Sequence, residues 1–262
     1  MNKLALVTGA SSGIGAAICA RLAKDGWRVW GLSRRGTAPE GVVPVSADVT
    51  DEESLSAALE KLISAEGRLD MVVNCAGSGI SGAVEFTSPA QSDFQMEVNL
   101  SGTARLCRLA IPHLKKTKGA IINVTSVAGA LPIPFQTWYS VSKAALNAYS
   151  AALANELRPF GIRVCAVMPG DIKTGFTAAR QKSPEGDAEY SGRISRSVAK
   201  MEADEQKGMS PDAVAKKVCR LGKRRHLPPV CTVGFGYGAL VILARLLPQR
   251  LVNRVLYEMY AK

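Results

Sequence analysis

Short apolar runs recur along the 262-residue chain, each closing on a small or polar residue: KLALVT (3–8), RVWGLS (28–33), VVPVSAD (42–48), DMVVNCAG (70–77), GAIINVTS (119–126) and IRVCAVMPG (162–170). Between them lie stretches at 13–25, 51–65, 89–115 and 138–158 that are long enough for helices. Near-continuous Val/Ile/Leu runs separated by helical crossovers predict a parallel sheet covered on both faces. Such a sheet binds ligands beyond the carboxyl ends of its strands, which is where the polar residues of these runs collect. PPVCTV (228–233) is a candidate last strand, and the length suits one large α/β domain.

After Gly170 the pattern loosens. Residues 171–192 are rich in Gly, Ser, Pro and charge and read as a mobile loop near the strand ends. A Ser-Pro start at 210–211 opens a helix that places Lys216, Lys217, Arg220, Lys223 and Arg224 near one face. The segment 236–260 reads as two short helices broken at Pro248.

The first strand runs into TGASSGIG (8–15), with Gly9, Gly13 and Gly15 around Ser11, Ser12 and Ile14. Glycine permits positive φ and lets a pyrophosphate approach the backbone, and the helix that follows offers unpaired N–H groups to the phosphates. In this strand-to-helix setting the turn predicts a dinucleotide site. The second strand ends in Ser33, Arg34 and Arg35 where an acidic residue would accept hydrogen bonds from an adenosine ribose. Guanidinium groups suit a 2′-phosphate, so NADP(H) is expected. Asp48, with Val49 beside it at the end of the third run, is placed for the adenine amino group.

The six cysteines are scattered through apolar contexts without a CxxC pair, which reads as reduced core thiols in a cytoplasmic-type compartment. The two histidines, His113 and His226, are far apart, so no metal site is expected. The N-terminal apolar run is too short for a signal peptide. The net charge is +11, and residues 201–262 hold 11 Lys+Arg against 5 Asp+Glu, so +6 sits in the last quarter. A solvated basic face is the plain reading; attraction to anionic ligands or a membrane surface is the sharper one. No nucleic-acid-binding motif accompanies the charge, and no nucleic-acid partner is expected.

WYSVSK (138–143) sets a tyrosine and a lysine one helical turn apart, on one face of a helix. An ammonium beside a phenol favours the phenolate, and on that ground the Tyr139 pKa is expected to fall toward neutrality, as general acid–base work requires. TGASSGIG, NCAG (74–77), Asn99, Ser126, YSVSK (139–143) and PGDIKT (169–174) occur in the order and with the spacings of short-chain dehydrogenases/reductases, which the chain resembles from residue 3 to about residue 175.

That resemblance implies a single-domain Rossmann fold over 1–262, a doubly wound parallel sheet of about seven strands: 1–125 mainly for cofactor, 126–190 for catalysis and substrate, and 230–262 as an apolar C-terminal extension. It implies hydride transfer between a nicotinamide and a carbonyl or alcohol carbon. Tyr139 is then the acid/base, and Lys143 holds the ribose hydroxyls. Ser126 bonds the substrate oxygen and Asn99 serves a proton relay. Asn74, Ala76 and Gly77 line the adenosine side, Asn74 also bridging strands. Pro169 and Gly170 turn the chain beside the nicotinamide, with Ile172 offering backbone groups and Thr174 a hydroxyl. A homodimer or homotetramer is expected.

The substrate end departs from ketoacyl-carrier-protein reductases: the chain runs on for some 25 residues past PPVCTVGFGYG. The tail is more similar to family members that act on lipid-like ketones, alcohols or aldehydes, of hydroxysteroid, retinol or acyl-dihydroxyacetone-phosphate type. A 3-ketoacyl reductase and a non-catalytic NADPH-binding regulator are the alternatives, although regulators of this kind usually lack the tyrosine or the lysine, and both are present. Leu131 and Phe135, with Ile133 and Trp138, are candidate substrate contacts. Leu251, Val252, Val255, Leu256, Met259 and Tyr260 mark an apolar helix face. Docking on the core or on a second subunit, a lid, and peripheral membrane contact aided by the basic helix 211–225 all remain open. A membrane-spanning reading is disfavoured, because the run 230–247 is short, contains three glycines and has Arg245 near its end.

Overall fold

The computed structural model describes residues 2–262. Strand β1 (Leu4–Thr8) leads through α1 (Gly13–Lys24) to β2 (Arg28–Ser33), β3 (Val43–Ser46), α2 (Glu52–Glu66) and β4 (Met71–Asn74). A short β5 (Ile80–Ser81) precedes α3 (Pro89–Met96), a π-helical turn (Glu97–Ser101) and α4 (Gly102–Thr117). Then come β6 (Ala120–Val124), α5 (Thr137–Leu157), β7 (Arg163–Pro169), α6 (Phe176–Ala179), β8 (Gln181–Lys182), α7 (Arg193–Gln206), α8 (Pro211–Gly222), β9 (Val230–Val233), α9 (Phe235–Leu246) and α10 (Gln249–Tyr260).

The main sheet has seven strands in the order β3-β2-β1-β4-β6-β7-β9, all of its pairs parallel. Its side chains alternate between two cores, as a two-residue strand period dictates. From β1, Ala5 and Val7 join Ile18, Leu22, Val214 and Val218 of α1 and α8. Leu4 and Leu6 join Leu55, Leu62, Leu106, Leu114 and Leu153 of α2, α4 and α5 on the other face. The central strands β1, β4 and β6 are buried at every position, and they are apolar but for Thr8, Asn74 and Asn123. The strand order reverses between β1 and β4, so their carboxyl ends open a crevice.

Polar side chains tie that crevice together. Thr8 Oγ1 accepts from the backbone N–H groups of Cys75 and Ala76, both at 3.0 Å, joining the first turn to the NCAG turn. Asn74 Nδ2 donates to Asn123 Oδ1 at 2.8 Å, and Asn123 Nδ2 donates to Ser150 Oγ at 2.8 Å, linking β4, β6 and α5 through the core.

Three segments differ from the sequence reading. The 89–115 helix is divided by the π turn that contains Asn99; Ser88 and Gln91 cap its start reciprocally. Residues 171–192, expected as a mobile loop, contain α6 and β8. Gln181 and Lys182 pair in parallel with Ile80 and Ser81, and the buried Arg180 side chain is ion-paired to Glu205. Glycine and proline content signalled the absence of a long element, but these partners are remote in sequence. Helix α7 was also unanticipated, although Ile194, Val198 and Met201 recur at helical spacing and form its buried face. At the C-terminus the break at Pro248 is present, and Val241 and Val252 anchor α9 and α10 in a cluster with Leu131 and Met168.

Replacing Asn123, which is wholly buried, with Ala leaves Asn74 and Ser150 without that partner. The expected cost is about 2–3 kcal/mol, read as a lower urea midpoint with an unchanged slope.

Candidate active site

The opening turn is shaped to receive phosphates. Gly9 has φ +68°, and a Cβ there would lie 3.0 Å from the Ala76 nitrogen and the Cys75 oxygen. A Cβ on Gly15 would lie 2.2 Å from the Gly9 oxygen, so only glycine lets α1 begin against the turn. Ser12 precedes the helix without capping it by its side chain, which leaves the first-turn N–H groups directed outward. Those bare N–H groups and the side-chain-free cradle fit a dinucleotide pyrophosphate. Ile14 packs against the α1–α8 core, and Ser11 takes a hydrogen bond from Arg35 Nη2 at 3.0 Å. Arg34 and Arg35 are exposed, and neither has a carboxylate partner among the described residues. Ser33 is occupied with its own turn, bonding Thr37. Asp48 Oδ1 accepts from the Thr50 backbone and hydroxyl, and the Val49 backbone oxygen packs on Gly102.

Four side chains expected to do chemistry converge at the ends of β4 and β6. Asn99 is fully buried: its Oδ1 accepts from Ser78 N at 2.8 Å, while Nδ2 donates to Ser142 Oγ at 3.0 Å and Ser78 O at 3.1 Å. The position of a Cβ on Gly77 lies 3.3 Å from Asn99 Oδ1 and 3.7 Å from Lys143 Nζ, which puts both polar groups at one bare backbone position. Lys143 Nζ donates to Val124 O at 3.1 Å and lies 5.8 Å from the centre of the Tyr139 ring. Ser126 caps the short turn after β6, accepting from Ala128 N at 3.1 Å, and its hydroxyl is near enough to the Tyr139 phenol to favour the phenolate. Asn74 is turned into the core and spends its amide on the strand bridge.

The electrostatics correct one expectation. Burial pushes the Tyr139 phenol up to about 12 rather than toward neutrality; the Ser126 hydroxyl and then the Arg180 guanidinium pull the other way. Burial likewise holds the Lys143 ammonium down at about 8. Within the protein's own groups, desolvation outweighs the attraction between ammonium and phenolate.

The segment after β7 covers this site. Gly170 packs against the Tyr237 ring, whose hydroxyl donates to Asp171 at 2.6 Å. Ile172 bridges to Met209, and the Thr174 side chain approaches Gly13 of the opening turn. Phe176 then lies with its ring 5.7 Å from that of Tyr139 and against Gly79. Arg180, 5.7 Å from the Phe176 ring, pairs with Glu205, which also accepts from Thr177 Oγ1 at 2.5 Å. With the Gln136 amide oxygen facing the guanidinium, Gln136 accepts from Arg180 Nε and Nη2 at 2.9 and 3.0 Å, while Nη1 has no partner.

The sequence reading missed Phe176, Arg180 and Glu205; the only signal was an aromatic and a cation inside an otherwise Gly/Ser/Pro-rich stretch. Phe135 packs edge-on against Tyr190, in a cluster with Ile133 and α7. Leu131, expected at the substrate, packs instead beneath α9 and α10, because the turn after Ser126 directs it into that satellite core. Trp138 is half-buried, with no partner for its indole nitrogen.

Residues 3–185 match the family model described as short chain dehydrogenase. The chain belongs to that family. A 3-ketodihydrosphingosine reductase from Bacteroides thetaiotaomicron is 38% identical over 236 residues, covering 88% of each chain. A solved short-chain dehydrogenase from Streptomyces avermitilis superposes with a TM-score of 0.85 at 29% identity, over 98% of this chain and 97% of that one. A 3-ketoacyl-(acyl-carrier-protein) reductase from Brucella melitensis, complexed with NADH, gives 0.76 at 27% identity over 90% and 98%. ElxO with NADP bound gives 0.75 at 28% over 90% and 99%. This short-chain dehydrogenase is therefore an oxidoreductase of a family that binds a nicotinamide cofactor.

The low Lys143 pKa has a measurable sign. Between pH 8 and 10.5 the unfolded chain holds more protons than the folded one, so this lysine makes stability rise with pH across that window and leaves its full deficit below it. Lys143→Met is expected to stabilise the protein near pH 7 by up to about 3 kcal/mol and to change little above the window, read as urea midpoints of both proteins at each pH.

Proposed function

We propose that this short-chain dehydrogenase is an NADP(H)-dependent reductase of a ketone carried by an apolar, lipid-like molecule. The reading rests on the convergence of Tyr139, Ser126, Lys143 and Asn99 under an aromatic cover, Phe176. Arg35 reaching Ser11 next to the opening turn supports the 2′-phosphate preference, since a guanidinium beside the pyrophosphate cradle is matched by no carboxylate. The Bacteroides relative carries the name of a reductase of a 3-keto compound, which supports a keto substrate.

The protein's part in the chemistry is proton delivery and orientation. The Ser126 and Tyr139 hydroxyls donate to the substrate's carbonyl oxygen and fix it. A bound reduced nicotinamide supplies the hydride that the carbonyl carbon accepts. The phenolic proton passes to the oxygen, giving an alcohol and a tyrosinate. A phenol held at about 12 is fully protonated at neutral pH, which suits an acid in the reductive direction. The Lys143 ammonium, without a carboxylate to neutralise it, then stabilises the tyrosinate. Lys143, poised at about 8, and the Asn99–Ser142 pair lie along the return path for the proton. Phe176 excludes water from the phenol and offers an apolar surface to the substrate.

Tyr139→Phe is expected to bind NADPH normally and lose at least about a thousandfold in kcat with candidate long-chain ketones; near-normal turnover would reject the proton-donor role. Arg34→Ser combined with Arg35→Ser is expected to raise the Kd for NADPH by about tenfold or more and leave that for NADH within about twofold, as measured by fluorescence titration.

A further inference from the structure

The C-terminal helices leave apolar surface that nothing in the fold covers. Helix α9 buries Val241 but exposes Phe235 at 95%, Ile242 at 62% and Leu246 at 78%, with Leu240 and Leu243 beside them. It contains one charged residue, Arg245, which is exposed. Helix α10 buries Val252 and exposes Leu251, Val255 and Met259 at successive four-residue steps, a stripe on one face. Arg250 and Arg254 repeat at the same step along one side of that stripe.

Neither these two arginines nor Arg245 has an ion-pair partner among the described residues; the acidic residue of the pair of helices, Glu258, is bonded to Lys262. Exposed apolar side chains at this density, in consecutive helices, mark an interaction surface.

The accompanying charges select the partner. A second copy joined through a twofold axis would lay this patch on itself, bringing three unpaired arginines from each copy together against a single acidic residue of each, Glu258, which is already bonded to Lys262. An anionic bilayer surface matches both features, taking the apolar side chains below the headgroups and the guanidinium groups among the phosphates. Each helix has only 12 residues, and no helix among the described residues is long and apolar enough to cross a membrane, so the geometry is that of helices lying in the interface.

Helix α8 buries Val214, Val218 and Leu221; of the cations expected to assist, Lys216 pairs with Asp212 and Lys223 with Asp25, while Lys217, Arg220 and Arg224 form no ion pair among the described residues. We propose that α9 and α10 form a peripheral docking surface for anionic lipid bilayers, with Phe235, Ile242 and Leu246 inserting and Arg245, Arg250 and Arg254 contacting headgroup phosphates.

The test is co-sedimentation of the full-length protein with vesicles of phosphatidylcholine alone and of phosphatidylcholine mixed with phosphatidylglycerol. Neither cofactor nor ketone is present, so the outcome is independent of the catalytic reading. The protein is expected to pellet with the mixed vesicles and far less with phosphatidylcholine alone. Ile242→Ser with Leu246→Ser should cut partitioning by about tenfold or more, and Arg245→Gln with Arg250→Gln and Arg254→Gln by a comparable factor at low salt. Thermal unfolding of both variants should match the parent, since every altered side chain is exposed.

Failure of the unaltered protein to bind either vesicle overturns the proposal. So does binding that salt abolishes and the serine variant leaves unchanged, which would mean charge alone. A concentration-dependent dimer, broken by the serine variant in equilibrium sedimentation without vesicle binding, would assign the surface to a second copy instead.

Discussion

Burial of both faces of a parallel sheet is the constraint from which the rest of this structure follows. A strand in such a sheet has no solvent-facing side, so Leu4 to Val7 in β1 and Met71 to Val73 in β4 are apolar at every position. Polar chemistry is thereby pushed to the strand ends. Thr8, Asn74, Ser126 and the turn after Pro169 all stand at the carboxyl edge, on the same side of one rigid platform. The few polar side chains admitted to the interior, such as Asn123, bond to one another and join the strands that carry the site.

The side chains proposed for catalysis are held by the same economy of polar partners. Lys143 is a buried cation with a backbone carbonyl for company, and Tyr139 is a buried phenol with a serine. Removing water raises the phenol's pKa to about 12 and lowers the ammonium's to about 8, so burial drives apart two groups whose ordinary values nearly coincide, each toward its neutral form. In the proposed reaction that arrangement keeps a lysine charge beside the transient tyrosinate. The π turn at Asn99 belongs to the same design, since the wider turn sets an amide against Ser78, Ser142 and the bare Gly77 position.

Above the platform the chain changes character. The cover of the site is made of small pieces, α6 and β8, held by pairs remote in sequence: Phe176 on Tyr139, Arg180 on Glu205, Gln181 on Ile80. The C-terminal helices hold on through a small satellite core around Leu131, Met168, Val241 and Val252 and turn their remaining apolar residues outward. The platform thus carries one apolar environment beside Tyr139 and another on its outer surface.

The strand runs, the glycine turn, the paired arginines at 34 and 35 and the tyrosine–lysine step are legible in the sequence because each is a local pattern whose physics acts over a few residues: two-residue burial alternation, positive φ, helix-turn spacing. The break at Pro248 is legible for the same reason. The direction of the Tyr139 pKa, the place of Leu131, the cover built from Phe176 and Arg180, and the solvent exposure of α9 were decided by the tertiary structure alone. Desolvation depends on everything packed around a group, and a contact between residue 180 and residue 205 leaves no periodicity to read. An apolar helix also looks the same in sequence whether its outer face meets protein or is left bare.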